Sequence, residues 1–136
     1  MKYGREVTFS IPEASILLNV WQRKHWGARK KYHERLFLLV KAALAAESFK
    51  TSVPFSMCKI EVDRFSSGTA DWDGVMGGLK PLFDCLVKRT DKNPLGLGII
   101  EDDNPSVVIN CPIIRQHKST RKAASTVVTI TEILEA

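Results

Sequence analysis

A chain of 136 residues, 44% of them hydrophobic, is the right size for one domain with its own core, and residues 1–136 are read as a single domain. It contains no run of about 18 apolar residues and lacks the charged, apolar and small-residue zones of a signal peptide, so we expect no membrane segment and a cytoplasmic protein. Its three cysteines, Cys58, Cys85 and Cys111, form no CxxC pair, which argues against a zinc site built on thiolates.

The net charge of +5 is unevenly spread. Residues 1–50 hold ten Lys/Arg against four Asp/Glu, residues 51–110 six against nine, and residues 111–136 four against two. An acidic centre between basic flanks suits a metal-dependent enzyme acting on nucleic acid, in which cations hold phosphates and carboxylates hold a metal ion. A basic, solvated surface without a partner has the same charge balance.

In chain order, residues 7–11 alternate and stop at Pro12, as a short strand does. The apolar residues 16–20 lead into Trp21-Gln22-Arg23-Lys24-His25-Trp26-Gly27-Ala28-Arg29-Lys30-Lys31, two tryptophans among five Lys/Arg. That is the composition of a surface that pairs with phosphates and offers rings to bases, and Arg23, Lys24, Trp26, Arg29 and Lys30 are the candidate DNA contacts here. Core tryptophans flanked by solvated cations would give the same string. Over residues 28–46, Tyr32, Leu36, Leu39, Val40, Ala43 and Leu44 recur at helical spacing, which predicts a helix with cations on its outer side. Residues 55–65 alternate, with Cys58, Ile60 and Val62 on one side, and predict a half-buried strand leading toward Asp71.

After the break at Ser66-Ser67-Gly68-Thr69 comes Asp71-Trp72-Asp73. In an extended segment the two aspartates share a face and Trp72 takes the other. Carboxylates held that close repel, and a divalent cation relieves the repulsion. Residues 75–87 carry a second helical stripe, which either starts near Lys80 with Pro81 in its first turn or is kinked there. Residues 91–96 form a turn cluster, 97–100 a short apolar run, and 101–105 a second acidic loop. Residues 107–115 and 125–134 predict a pair of strands joined by a connector with His117, Lys118, Arg121 and Lys122, the last three being candidate DNA contacts. The order β-α-β-α-β-β, with two main helices, predicts an α+β domain on one mixed sheet.

Asp71, Asp73 and a carboxylate from Glu101, Asp102 or Asp103 make an all-oxygen donor set suited to Mg²⁺, with Mn²⁺ as a substitute. Lys80 is then a candidate to stabilise negative charge on a phosphate oxygen. On a helix it also pairs most simply with Asp84, four residues on. Gly74, Gly77 and Gly78 allow either a close approach of backbone to phosphates or simply a turn. His25, His33 and His117 are scattered, without a nucleophile beside them, which speaks against a triad hydrolase.

The order Asp71-Trp72-Asp73, Lys80-Pro81-Leu82-Phe83-Asp84-Cys85-Leu86, Ile100-Glu101-Asp102-Asp103 and a strand ending Thr129-Ile130-Thr131-Glu132 resembles the RusA-type Holliday junction resolvases, as does the basic stretch from Asn19 to Lys31. The resemblance spans most of the chain. It implies a small homodimeric, Mg²⁺-dependent endonuclease, often phage or prophage encoded in a bacterial host, that resolves four-way DNA junctions by paired nicks. By position it makes Asp71, Asp73 and Asp103 the metal ligands, with Asp102 a competitor for the third place, and Lys80 the catalytic lysine. The family usually has Asn-Leu after the second aspartate, where this chain has Gly74-Val75. Two other expectations stay open: a non-catalytic DNA-binding protein, and a metal-dependent phosphodiesterase for flaps or RNA.

Overall fold

In the computed structural model, which describes residues 1–50 and 53–135, nine elements follow one another. They are β1 (Lys2–Ile11), α1 (Leu18–Arg23), α2 (Trp26–Ala46), β2 (Cys58–Ser66), α3 (Trp72–Gly77), α4 (Lys80–Leu86), β3 (Ile113–Lys118), a 3-10 turn (Arg121–Ala123) and β4 (Ser125–Glu135). The fold is α+β, a single domain on one mixed four-stranded sheet, with the expected order of strands and main helices. None of the described helices is long and apolar enough to cross a membrane.

The sheet order is β1-β4-β2-β3, with β4 antiparallel to both β1 and β2, and β3 parallel to β2. Register puts Phe9 opposite Val128 and Val128 opposite Val62, and likewise Val7, Ile130 and Ile60 in one row. Because side chains alternate, these rows share one face, and it is the buried one. Leu36, Val40 and Leu44 of α2 and Leu82, Cys85 and Leu86 of α4 cover that face and close the core. Arg64, the next inward position of β2, is also buried, and its Nε donates to the Ser15 carbonyl at 3.0 Å.

Three expectations change. The first strand begins at Lys2 rather than near residue 7, because pairing with β4 carries its polar half and Arg5 grips Glu132 through Nε (2.9 Å) and a terminal nitrogen (2.8 Å). The last two strands do not pair with each other, since β2 lies between them. A gap of two strand spacings, roughly 10 Å, is beyond a tight hairpin turn. The chain therefore crosses the end of β2 with Ser119 N–H donating to Ser66 O at 2.8 Å and a 3-10 turn following. The first of that expected pair also starts later: residues 107 and 108 are buried but lie outside the strand, which begins only after Pro112, a residue without an N–H for the ladder.

The third change concerns Asp71-Trp72-Asp73, which is a helix start rather than an extended segment. Asp71 is the N-cap of α3, with extended backbone at φ −62° and ψ 144°, and Asp73 lies in the first turn. The stripe over residues 75–87 splits into α3 and α4 at Gly78, whose backbone lies so close to Ile16 that an added Cβ would stand 1.7 Å from the Ile16 carbonyl oxygen. Pro81 falls in the first turn of α4, the first of the two placements expected for it.

Candidate active-site groove

Lys80 opens α4, and its Nζ lies 2.9 Å from Asp84 Oδ1 and 3.1 Å from Asp103 Oδ2. The first contact follows from i,i+4 spacing on the helix. The second depends on where the acidic loop lands. Ile99 and Ile100 are buried, Ile100 bridging to both Phe55 and Val87, and this anchors the next three residues at the groove's rim. Within the loop, Asp102 Oδ1 accepts from Asp103 N–H at 2.8 Å and Asp102 Oδ2 from the Asn104 amide at 3.0 Å. Those bonds, the backbone N–H of Asp103 foremost, hold the Asp102 carboxyl below its usual range. Asp102 thus braces the loop while Asp103 meets the lysine.

The Lys80 pKa is raised, by its hydrogen bond to Asp84 first; burial works against this, and the hydrogen bond to Asp103 adds to the rise. At neutral pH the side chain is therefore a cation suited to stabilising charge rather than to taking up a proton. It sits in a groove of about 770 Å³ whose lining includes Arg29, Lys30, Lys88 and Lys92 beside Asp84, Glu101, Asp102 and Asp103. Lys88 pairs with Glu101 at 3.0 Å. His33, on the α2 wall of the same groove, has a buried Nε2 with no hydrogen-bond partner among the described residues, and burial lowers its pKa.

Asp71 and Asp73 are exposed on α3 and do not line this groove. The two regions are neighbours, since a smaller groove is lined by Met76, one turn after Asp73, and by Asp103. Among the described residues no group of three or more His, Cys, Asp or Glu is arranged to hold a metal ion. The donors do match in type: Asp71, Asp73 and Asp103 offer only carboxylate oxygens, the chemistry of Mg²⁺ or Mn²⁺. In the arrangement seen, Lys80 occupies Oδ2 of Asp103, which leaves its other oxygen to a metal ion.

The segment before Asp71 is fixed by a residue that the sequence does not single out. The Gln116 amide accepts from Ala70 N–H and donates to Ala70 O, both at 2.9 Å, so β3 clips the chain one residue before Asp71. No local pattern marks Gln116, because its partner is 46 positions away.

The basic candidates divide into anchored and open ones. Arg29 donates to the carbonyls of Trp21 (3.2 Å) and Gln22 (2.9 Å), tying off the end of α1, and lies 5.5 Å over the Trp21 ring. Lys24 lies 5.7 Å over Tyr32. Trp26 is 72% exposed at the start of α2, beside His25, which caps that helix by accepting from Gly27 N–H. Arg23 and Lys30 are exposed as well, whereas Lys118, Arg121 and Lys122 are exposed around the crossing from β3 to β4. The N-terminal set therefore reaches the Lys80 groove through Arg29 and Lys30, and the second set lies near the Gln116 clip instead.

Compared with known proteins, the chain matches no family model and no curated protein.

Proposed function

We propose that the protein is a metal-dependent endodeoxyribonuclease that nicks four-way junctions and related branched DNA. The observation that carries this reading is the position of Lys80: a cation held between two carboxylates, in a groove whose walls bear further lysines and an arginine. The lysines and arginine on the walls can pair with backbone phosphates, although the carboxylates, Glu34 included, equal them in number, and a fixed ammonium lowers the energy of charge that builds on a phosphate oxygen. Asp71, Asp73 and Asp103 are the residues to hold the metal. Bound there, Mg²⁺ supplies an activated water and polarisation of the phosphate. Lys80 would orient the strand and neutralise charge, with Asp84 holding it from the neighbouring helix turn, and Gln116 would set the approach to Asp71. Paired nicks in a two-fold symmetric junction call for two such sites, which a C2 homodimer provides.

The test is nicking of a synthetic four-way junction with Mg²⁺, with Mn²⁺ and with EDTA, for wild type and Asp73→Asn. Expected is nicking that needs the metal and is lost in Asp73→Asn, while junction binding persists. Full nicking by Asp73→Asn would overturn the metal role. A second reading, non-catalytic binding of branched DNA, draws on the same Lys80 pairs, which in that case simply staple α4 to the acidic loop. It predicts tight, salt-sensitive binding and no nicking with any divalent ion.

A further inference from the structure

Trp72 lies between the two aspartates at the start of α3, yet the residue is 59% exposed. With Met76, Pro112 and Ile114 it lines an apolar pocket of about 300 Å³. That pocket shares Met76 and Pro112 with the groove that contains Asp103, and Asp103 also lines the Lys80 groove. The three hollows therefore adjoin through shared side chains and are taken together as one trough, with the lysines and arginine of the Lys80 groove at one end and the exposed Trp72 at the other.

We infer that this apolar pocket receives one unpaired nucleobase of the strand whose phosphates lie along the Lys80 groove. The inference rests on reading the protein as one that acts on DNA. The occupant follows from the order of chemistry along the trough. Phosphates match the Arg29, Lys30, Lys88 and Lys92 end, and an uncharged, flat, apolar face matches the Trp72 end. A base inside a duplex has both faces stacked, whereas one in a single strand, or unpaired where a branch point opens, can stack on the indole. Of the four lining side chains only the Trp72 indole N–H can hydrogen-bond to a base edge, and since every base offers an acceptor, the pocket selects for an unpaired base and not for its sequence.

The experiment measures, in EDTA, the anisotropy of a labelled strand of eight thymidines and of an eight-unit abasic strand of equal charge, with wild type, Trp72→Phe and Trp72→Ala. Wild type is expected to prefer the thymidine strand, and Trp72→Ala to lose about 5- to 100-fold on that strand alone. Trp72→Phe, which keeps an aromatic face, retains most of the preference. Equal losses on both strands, or no loss on either, overturn the pocket. So does a wild-type dimer that becomes monomeric in Trp72→Ala, because the occupant is then a second copy of the chain. If wild type binds neither strand, the DNA reading falls and the pocket with it. If the thymidine preference holds but junctions are never nicked, only the nuclease reading falls.

Discussion

Replacing Gln116 by leucine removes the clip that fixes the approach to Asp71. The amide makes two hydrogen bonds of 2.9 Å to the backbone of Ala70, both partly buried, and leucine makes neither. A neutral hydrogen bond contributes about 1 kcal/mol net, and a partly buried backbone group left without a partner costs somewhat more. The expected loss is about 2 kcal/mol, which for a domain of this size lowers Tm by roughly 6–10 °C. Gln116→Glu keeps the acceptor for Ala70 N–H but sets a carboxylate against the Ala70 carbonyl, so it should fall between wild type and leucine. Thermal unfolding by circular dichroism gives the stability, and junction nicking at a temperature where all variants are folded gives the local effect. Nicking should fall in Gln116→Leu beyond what the folded fraction explains, with Asp71 less well held. A Tm within 1 °C of wild type together with unchanged nicking would refute the reasoning.

Lys80→Met should cut nicking by about 100-fold or more, as loss of a charge-stabilising group does, while stability changes by less than about 1 kcal/mol because both ion pairs are solvent-exposed; a large drop in Tm would make Lys80 a structural staple instead. Two neighbouring glycines should respond with opposite signs. Gly78→Ala drives a Cβ into the Ile16 backbone and should cost about 3 kcal/mol, whereas Gly74→Ala meets nothing within 4 Å on a helix and should gain up to about 1 kcal/mol, both read by urea unfolding. The Arg5 hydrogen bonds hold the Glu132 carboxyl down at about 2, against about 4.3 for a free glutamate. Since the folded value is the depressed one, this stabilisation is full above the unfolded value and is lost as pH falls toward about 2. The stability gap between wild type and Glu132→Gln at pH 6 should therefore close on acidification, and a gap that is independent of pH would point away from the ion pair. Burial pushes the Cys58 thiol up to about 11 and that of Cys85 up to about 12, while Cys111 is exposed. Iodoacetamide should accordingly label one cysteine of the native protein and three after unfolding, as counted by mass spectrometry.

Local periodicity by itself determined which side chains form the core. The alternation over residues 55–65 and the helical spacing over residues 28–46 named Cys58, Ile60, Val62, Leu36, Val40 and Leu44, which are buried, and Tyr32, Leu39 and Ala43, which are only half-buried against them. Those patterns are legible because a side chain's direction follows from its own backbone's twofold or 3.6-fold repeat. The Asp71-Trp72-Asp73 motif and the basic stretch before residue 31 were legible as composition for the same reason, being contiguous in the chain.

What only the tertiary structure decided are the relations between distant segments. The place of β2 between β3 and β4 was one of these, because strand order depends on which edge is open when the chain returns and not on the pattern inside a strand. The helical start at Asp71 was another, set by the Gln116 clip before it and the Ile16 contact at Gly78 after it. Lys80 met Asp103 rather than Asp102 because the loop's own hydrogen bonds consume Asp102. A short-range pattern fixes the direction in which a side chain leaves the backbone. Its partner is fixed by where the chain comes back, and that is settled only when the sheet and its two covering helices close on one core.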